Sequence, residues 1–202
     1  MFEIAARPAF VATMRARARA MNMDLDSYCE SGQMSLSQID PAELSPGDFA
    51  HRVRRAVEDD GVTFLVIDSL NAFLQAMPGE KFLMLQMHEM LSYLNQQGVN
   101  TLLILGQHGM IGDVRSEVDL SYLSDAILLF RYFEAEGRLH KAVSVIKSRV
   151  TPHESSIRQF GIGANGITVG EPLKVFEGVL TGAPAYRGAT PLLATQAAAA
   201  LA

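Results

Sequence analysis

From Val62 to Ile67 the chain reads Val-Thr-Phe-Leu-Val-Ile, almost unbroken in its apolar character, and then meets Asp68. A short apolar run of this kind is expected of a strand covered on both faces, as in a parallel sheet. Between Lys81 and Gln97 the pattern changes period. Leu83, Met84, Met87, Met90, Leu91 and Leu94 recur at helical spacing, and Gly98 stands at the stop. Thr101 to Leu105 is a second apolar run, expected to be another buried strand. Strand, helix and strand in this order predict a parallel α/β unit.

Upstream, residues 1–4 are apolar around Glu3 and predict the end of a strand, and Pro8 to Met21 predicts a helix with Pro8 in its first turn. Ser35 to Ile39 predicts a short strand. Ser45-Pro46-Gly47-Asp48 is a helix start, with a hydroxyl at the cap, proline at the first helical position and an acid three residues after the cap. That helix should run to about Glu58 and stop at Asp59-Asp60-Gly61. Downstream, Leu123 to Arg131 and Leu139 to Ile146 flank Glu134-Ala135-Glu136-Gly137 and predict a hairpin. Ile157 to Ile162 and Gly166 to Val169 predict further antiparallel strands around the turn Ala164-Asn165-Gly166. The fold class read from this order is α/β, a parallel sheet flanked by helices with antiparallel strands toward the C terminus.

Composition narrows the setting. The 202 residues are 49% hydrophobic and 19% charged, enough for a substantial core, and one cysteine, Cys29, excludes a disulfide scaffold. No apolar stretch is long enough for a bilayer span, and residues 1–20 carry no secretory pattern, so the expectation is a cytoplasmic protein. The net charge of −5 argues against nucleic acid as a partner. Arg15, Arg17 and Arg19 suggest a basic patch, yet at about 100° per residue Arg17 points away from the other two, which favours a solvated helix.

Two places invite chemistry. Asp68 is delivered to the carboxyl end of a buried strand, where ligands of open α/β sheets gather, and its hard oxygens suit Mg²⁺ beside a nucleotide. The same carboxylate could equally cap the turn Ser69-Leu70-Asn71. Lys147 and Arg149 leave another strand two residues apart, with His153 nearby. Two converging cations suit a polyphosphate, and a solvated basic strand end is the alternative. His51, His88, His108 and His140 stand apart from other ligand types, and no hydrolase elbow or dinucleotide fingerprint is present. A phosphate loop needs Gly-Lys-Ser/Thr, and the four lysines (Lys81, Lys141, Lys147, Lys174) follow Glu, His, Ile and Leu.

Taken together, Phe2-Glu3, Asp40 to Phe49, Phe64 to Leu70, Ser124 to Phe130 and Lys147 to His153 resemble the KaiC family of RecA-superfamily ATPases, in order as well as in kind. The resemblance covers residues 1–182. It implies a RecA-like P-loop NTPase core that uses ATP and Mg²⁺ between adjacent subunits of a hexameric ring. It gives Asp68 the Mg²⁺ role, and it gives Lys147, Arg149 and His153 a nucleotide-binding role in trans. Family members carry two glutamates after Phe, the base for the attacking group; here the pair is Glu3-Ile4, so Glu3 is the candidate. At the family's phosphoacceptor positions stand Ser121 and Tyr122, of which Ser121 matches.

The family domain begins with a strand and a phosphate loop ahead of the Phe-Glu motif, so the expectation is a domain lacking both at its N terminus. Residues 183–202 are expected to form a flexible tail. Two functional readings follow. One is part of an ATP-hydrolysing, autophosphorylating signalling protein of circadian-clock type. The other is a non-enzymatic module that lends Lys147 and Arg149 to a complete KaiC-like subunit. A recombinase-like DNA contact through residues 106–119 ranks last, because Arg115 there is outnumbered by Asp113, Glu117 and Asp119.

Overall fold

The computed structural model describes residues 1–5, 10–40, 43–72, 80–106, 122–135, 137–149, 151–181 and 184–188, with the side chains of residues 2–5 and 80–83 left aside. Ser121, most of the 106–119 loop, the boundary at 182–183 and all but the first residues of the tail lie outside these segments. The chain divides into two units, Met1–Gly106 and Gln107–Ala202.

The first unit is built on a parallel sheet in the order β2-β1-β3-β4, formed by β1 (Phe2–Ala5), β2 (Ser35–Gln38), β3 (Phe64–Asp68) and β4 (Asn100–Ile104). β3 occupies an inner position, and its Leu65, Val66 and Ile67 are buried as the apolar run predicts. β4 departs from the expectation of a second strand buried on both faces. Leu102 and Ile104 are exposed at 42% and 39%, and burial alternates along the strand. Among the described residues β4 pairs with β3 alone, and an edge strand has less to cover it.

Helix α1 is Phe10–Ala20, α2 Leu25–Glu30, α3 Pro46–Glu58 and α4 Glu80–Gln96. α3 starts where its sequence dictates. Ser45 Oγ accepts from the Asp48 backbone N–H at 3.1 Å and donates to Asp48 Oδ2 at 2.6 Å, satisfying an orphan amide of the first turn. Phe49, Val53 and Ala56 form its buried stripe. In α4 the buried residues include Met87, Met90 and Leu94, so methionine serves there as core filling. The Tyr93 hydroxyl donates to Glu58 Oε1 at 2.8 Å while Arg54 sits 5.1 Å above the Tyr93 ring, which ties α4 to α3.

Helix α2 has no counterpart in the sequence reading. It is only 6 residues long, and its start rests on Asp24, whose carboxylate accepts from the Ser27 N–H and hydroxyl. Asp26 on this helix accepts from Arg15 Nη1 at 3.1 Å and Arg19 Nε at 2.6 Å. The two arginines that share a face of α1 are thus consumed by packing α2, and Arg17 takes no part.

The second unit contains an antiparallel sheet in the order β5-β6-β7-β8: β5 (Ala126–Ala135), β6 (Arg138–Ser148), β7 (Arg158–Gly163) and β8 (Gly166–Pro172). The predicted turn closes between Gly163 and Gly166, where Gly166 adopts φ +87°, a conformation that favours glycine. One sheet face holds the core of this unit, Phe133, Ala142 and Val179, with Ile157, Leu173 and Phe176 against it. Phe176 belongs to β9 (Phe176–Glu177), which pairs with β10 (Ala185–Tyr186), and Val179 opens a short 3-10 turn. On the other face of β5, Leu128, Phe130 and Tyr132 are exposed, with Phe130 edge-on to Phe160 at 5.3 Å. The first unit's parallel sheet with its helices and the second unit's antiparallel sheet make this a mixed α/β fold.

Candidate functional site

In the first unit, β1 and β3 run side by side with Glu3 opposite Val66 and Ala5 opposite Asp68. Glu3 therefore stands two residues along β1 from the position facing Asp68.

The carboxylate of Asp68 is half-buried at the end of β3, and the peptide that follows it, Asp68–Ser69, is cis. The capping alternative for Asp68 is not realised. The turn after β3 closes through the Ser69 carbonyl, which accepts from the Ala72 N–H at 3.2 Å, and the Asn71 side chain turns to Gly106 instead. Asn71 Nδ2 donates to the Gly106 carbonyl at 2.8 Å, and Asn71 Oδ1 accepts from the Gly106 N–H at 2.6 Å. The residues after β3 and β4 are thereby joined, and no described side chain hydrogen-bonds to Asp68 or forms an ion pair with it.

A groove of about 620 Å³ runs along one face of α1 and has Asp68 in its wall. Phe10, Met14 and Ala18 from α1 line it, with Met21 just past its end and Leu25 and Tyr28 of α2. Its surface is mainly apolar, with Arg17 and Asp68 among its charged groups.

No group of three or more His, Cys, Asp or Glu able to enclose a metal occurs among the described residues. Mg²⁺ retains several waters and binds through one or two carboxylates plus phosphate oxygens, so the hard oxygens of Asp68, with no bonded partner among the described residues, fit it.

The second cluster lies in the second unit. The β5–β6 register shifts between Ile127 and Leu128: Lys147 faces Ile127, whereas Val145 faces Leu128, and Ile146 is left over. This bulge sits immediately before the Lys147–Arg149 segment. Bulges re-aim the side chains that follow them, and none was legible in the residue pattern. Pairing then continues past the strand end, with the Arg149 N–H donating to the Asp125 carbonyl at 2.8 Å. The Arg149 guanidinium turns back on the same segment. Its Nη2 donates to the Tyr122 carbonyl at 2.7 Å, and Nη1 lies 3.6 Å from Asp125 Oδ1. Lys147 is half-buried, while His153 is exposed. Ser148 Oγ and Thr151 Oγ1, at 3.3 Å, hold the turn between them.

Neighbouring Glu154 also shapes this segment. Ser156, whose N–H donates to Oε1 at 3.1 Å, and then the Arg158 guanidinium at 3.0 Å hold its carboxyl down at a pKa of about 2. Asp125 and Glu154 are partners sequence reasoning did not single out, and Tyr122, named there only beside Ser121, enters through its backbone carbonyl.

Comparison with known proteins agrees with these motifs. The family profile described as ATPase: KaiC matches residues 6–174. Over 96 residues, 47% of the chain and 19% of the relative, the sequence is 30% identical to the circadian clock protein KaiC3 of Synechocystis. It is 22% identical over 179 residues to the circadian clock oscillator protein KaiC of Synechococcus elongatus, covering 86% of the chain and 33% of the relative. The KaiC of Picosynechococcus matches at 21% over 179 residues. The chain thus spans about a third or less of the length of these curated relatives.

Proposed function

The chain belongs to the KaiC family of ATPases, and from that premise we propose that it serves ATP-dependent phosphoryl transfer in a clock-type signalling protein. The observation that carries the reading is Asp68: a carboxylate with no hydrogen-bond or ion-pair partner among the described residues, at the carboxyl end of an inner parallel strand; it is the acid that the family resemblance assigns to magnesium. Magnesium bound there would neutralise charge on the β- and γ-phosphates.

The chain's own groups divide the remaining work. Glu3 is the base. It takes the proton from an attacking water or hydroxyl as the new bond to the γ-phosphorus forms and the bond to the bridging oxygen breaks, releasing ADP. Lys147 and Arg149, with His153 beside them, stabilise the developing charge on a nucleotide held by an adjacent subunit. Catalysis of this kind is mainly positioning and electrostatics, which is why two fixed cations suffice for that part. Ser121 is the acceptor in a self-phosphorylation step. Such a division of groups requires a ring of KaiC-like subunits, and the setting is the cytoplasm.

The sequence given contains no Gly-Lys-Ser or Gly-Lys-Thr, so the phosphate cradle has to come from outside these residues. We therefore expect the 202-residue chain alone to show no tight ATP binding by calorimetry at millimolar Mg²⁺. Mixed with a complete KaiC-like subunit, it should change that subunit's ATPase rate, and Arg149→Ala should remove the change. Tight ATP binding by the chain alone would refute the need for an external cradle. A second reading, a module without turnover of its own that only lends Lys147 and Arg149, is favoured by the exposure of Arg149. It predicts co-purification with such a subunit that persists in Glu3→Gln and is lost in Arg149→Ala.

A further inference from the structure

We infer that Asp125 is a positioning residue for Arg149, holding the guanidinium against the chain's own backbone and setting its availability to an anionic ligand. The inference deepens the proposed oligophosphate role of the 147–153 segment and rests on that reading for its functional meaning. Its geometric basis stands by itself.

Three contacts converge. The Arg149 N–H donates to the Asp125 carbonyl at 2.8 Å, so the two residues face each other as the next step of the β5–β6 ladder. Opposed residues on paired strands bring their side chains together, and opposite charges there attract. Arg149 Nη1 lies 3.6 Å from Asp125 Oδ1, and Arg149 Nη2 donates to the Tyr122 carbonyl at 2.7 Å. A guanidinium has five donors in a planar fork. Held by one Nη on the carbonyl and by the other toward Asp125, it leaves Nε and further N–H groups without a partner among the described residues, able to meet a phosphate.

The side chains are exposed, Arg149 at 48% and Asp125 at 67%, so the pair is reversible, and an anion with more charge than one carboxylate can displace Asp125. The Tyr122 carbonyl is neutral and remains a partner after that displacement. The guanidinium therefore pivots about Tyr122, and Asp125 sets its resting direction. The upstream bulge at Ile146 places Arg149 opposite Asp125. With no residue left over in β6, the opposing residue would be one position away and on the other face.

The test uses the full 202-residue chain at low ionic strength. Phenylglyoxal labelling of Arg149, mapped by mass spectrometry, reads how free the guanidinium is. Asp125→Asn should raise the labelling rate about two- to fivefold, the size expected for losing an exposed ion pair. Asp125→Glu should restore it toward the parent rate, with the thermal midpoint the same in all three proteins. An unchanged rate in Asp125→Asn, or a rise matched by a fall in thermal midpoint, would overturn the inference. Calorimetry with inorganic tripolyphosphate tests the functional reading separately. Asp125→Asn should tighten binding, and the gain should vanish in the Arg149→Ala background. Labelling that responds while no protein binds tripolyphosphate would leave Asp125 as a positioning residue and refute the oligophosphate reading. A gain that survives Arg149→Ala would mean that Asp125 acts by general charge, against the inference.

Discussion

Asn71 and Gly106, 35 residues apart, share two hydrogen bonds between one side-chain amide and one peptide, at 2.8 and 2.6 Å. The side chain imitates a strand partner, continuing the β3–β4 ladder just beyond its last backbone pair, Asp68 with Ile104. A Cβ at position 106 would lie 3.4 Å from Asn71 Oδ1, an ordinary van der Waals contact, so the pairing by itself does not demand glycine there.

Asn71→Ala should therefore destabilise the first unit by about 1–3 kcal/mol, from two lost hydrogen bonds and unpaired groups on Gly106. The shift in urea midpoint, at unchanged slope, measures it. Asn71→Asp keeps the acceptor and loses the donor, so a smaller loss is expected.

Ser45→Ala removes the cap of α3, whose hydroxyl accepts from Asp48 N–H. A loss of about 1 kcal/mol is expected, and Ser45→Gly should cost only a few tenths. The ordering of the two variants in thermal denaturation is the check, because a side-chain packing role would reverse it.

Phe133→Ala opens a hole in the core of the second unit, where Phe133 is 1% exposed and packs with Ala142 and Val179. The expected cost is about 3–5 kcal/mol. Phe133→Leu should recover most of it, as read from denaturant midpoints.

Acid should loosen the segment after Arg149. Glu154, at a pKa of about 2, has its value depressed below the ordinary 4.5 by Ser156 and Arg158. The ionised form is the one the fold favours, so its contribution is complete above pH 4.5 and is lost as pH falls toward about 2. Asp24 is depressed in the same sense by the Ser27 hydroxyl and N–H. Stability profiles of Glu154→Gln and the parent should converge at low pH and separate above pH 4.5. Parallel profiles across that window would contradict the assignment.

Much of this fold was legible because its signals are local. A hydroxyl followed by proline and an acid marks the start of α3, since those residues satisfy the first-turn amides without help from elsewhere. The run 62–67 marks β3, because an inner strand must be apolar on both faces. Helix α2 escaped for the same reason in reverse: it is too short for periodicity and is held by Asp26 reaching back to Arg15 and Arg19. The buried-strand reading of 101–105 failed because apolar content does not reveal how many neighbours a strand has.

The sequence by itself determined the family, through motifs in fixed order, and with it the candidates Glu3, Asp68, Lys147, Arg149, His153 and Ser121. It could not decide between alternatives that share one local pattern. Whether Asp68 caps the turn is decided where Asn71 turns instead to Gly106, just past the end of another strand. Where Arg149 points depends on a bulge in β6 and on Asp125 across the ladder. Both are settled by pairing between distant segments, and pairing register is a property of the folded sheet that no single stretch of residues contains.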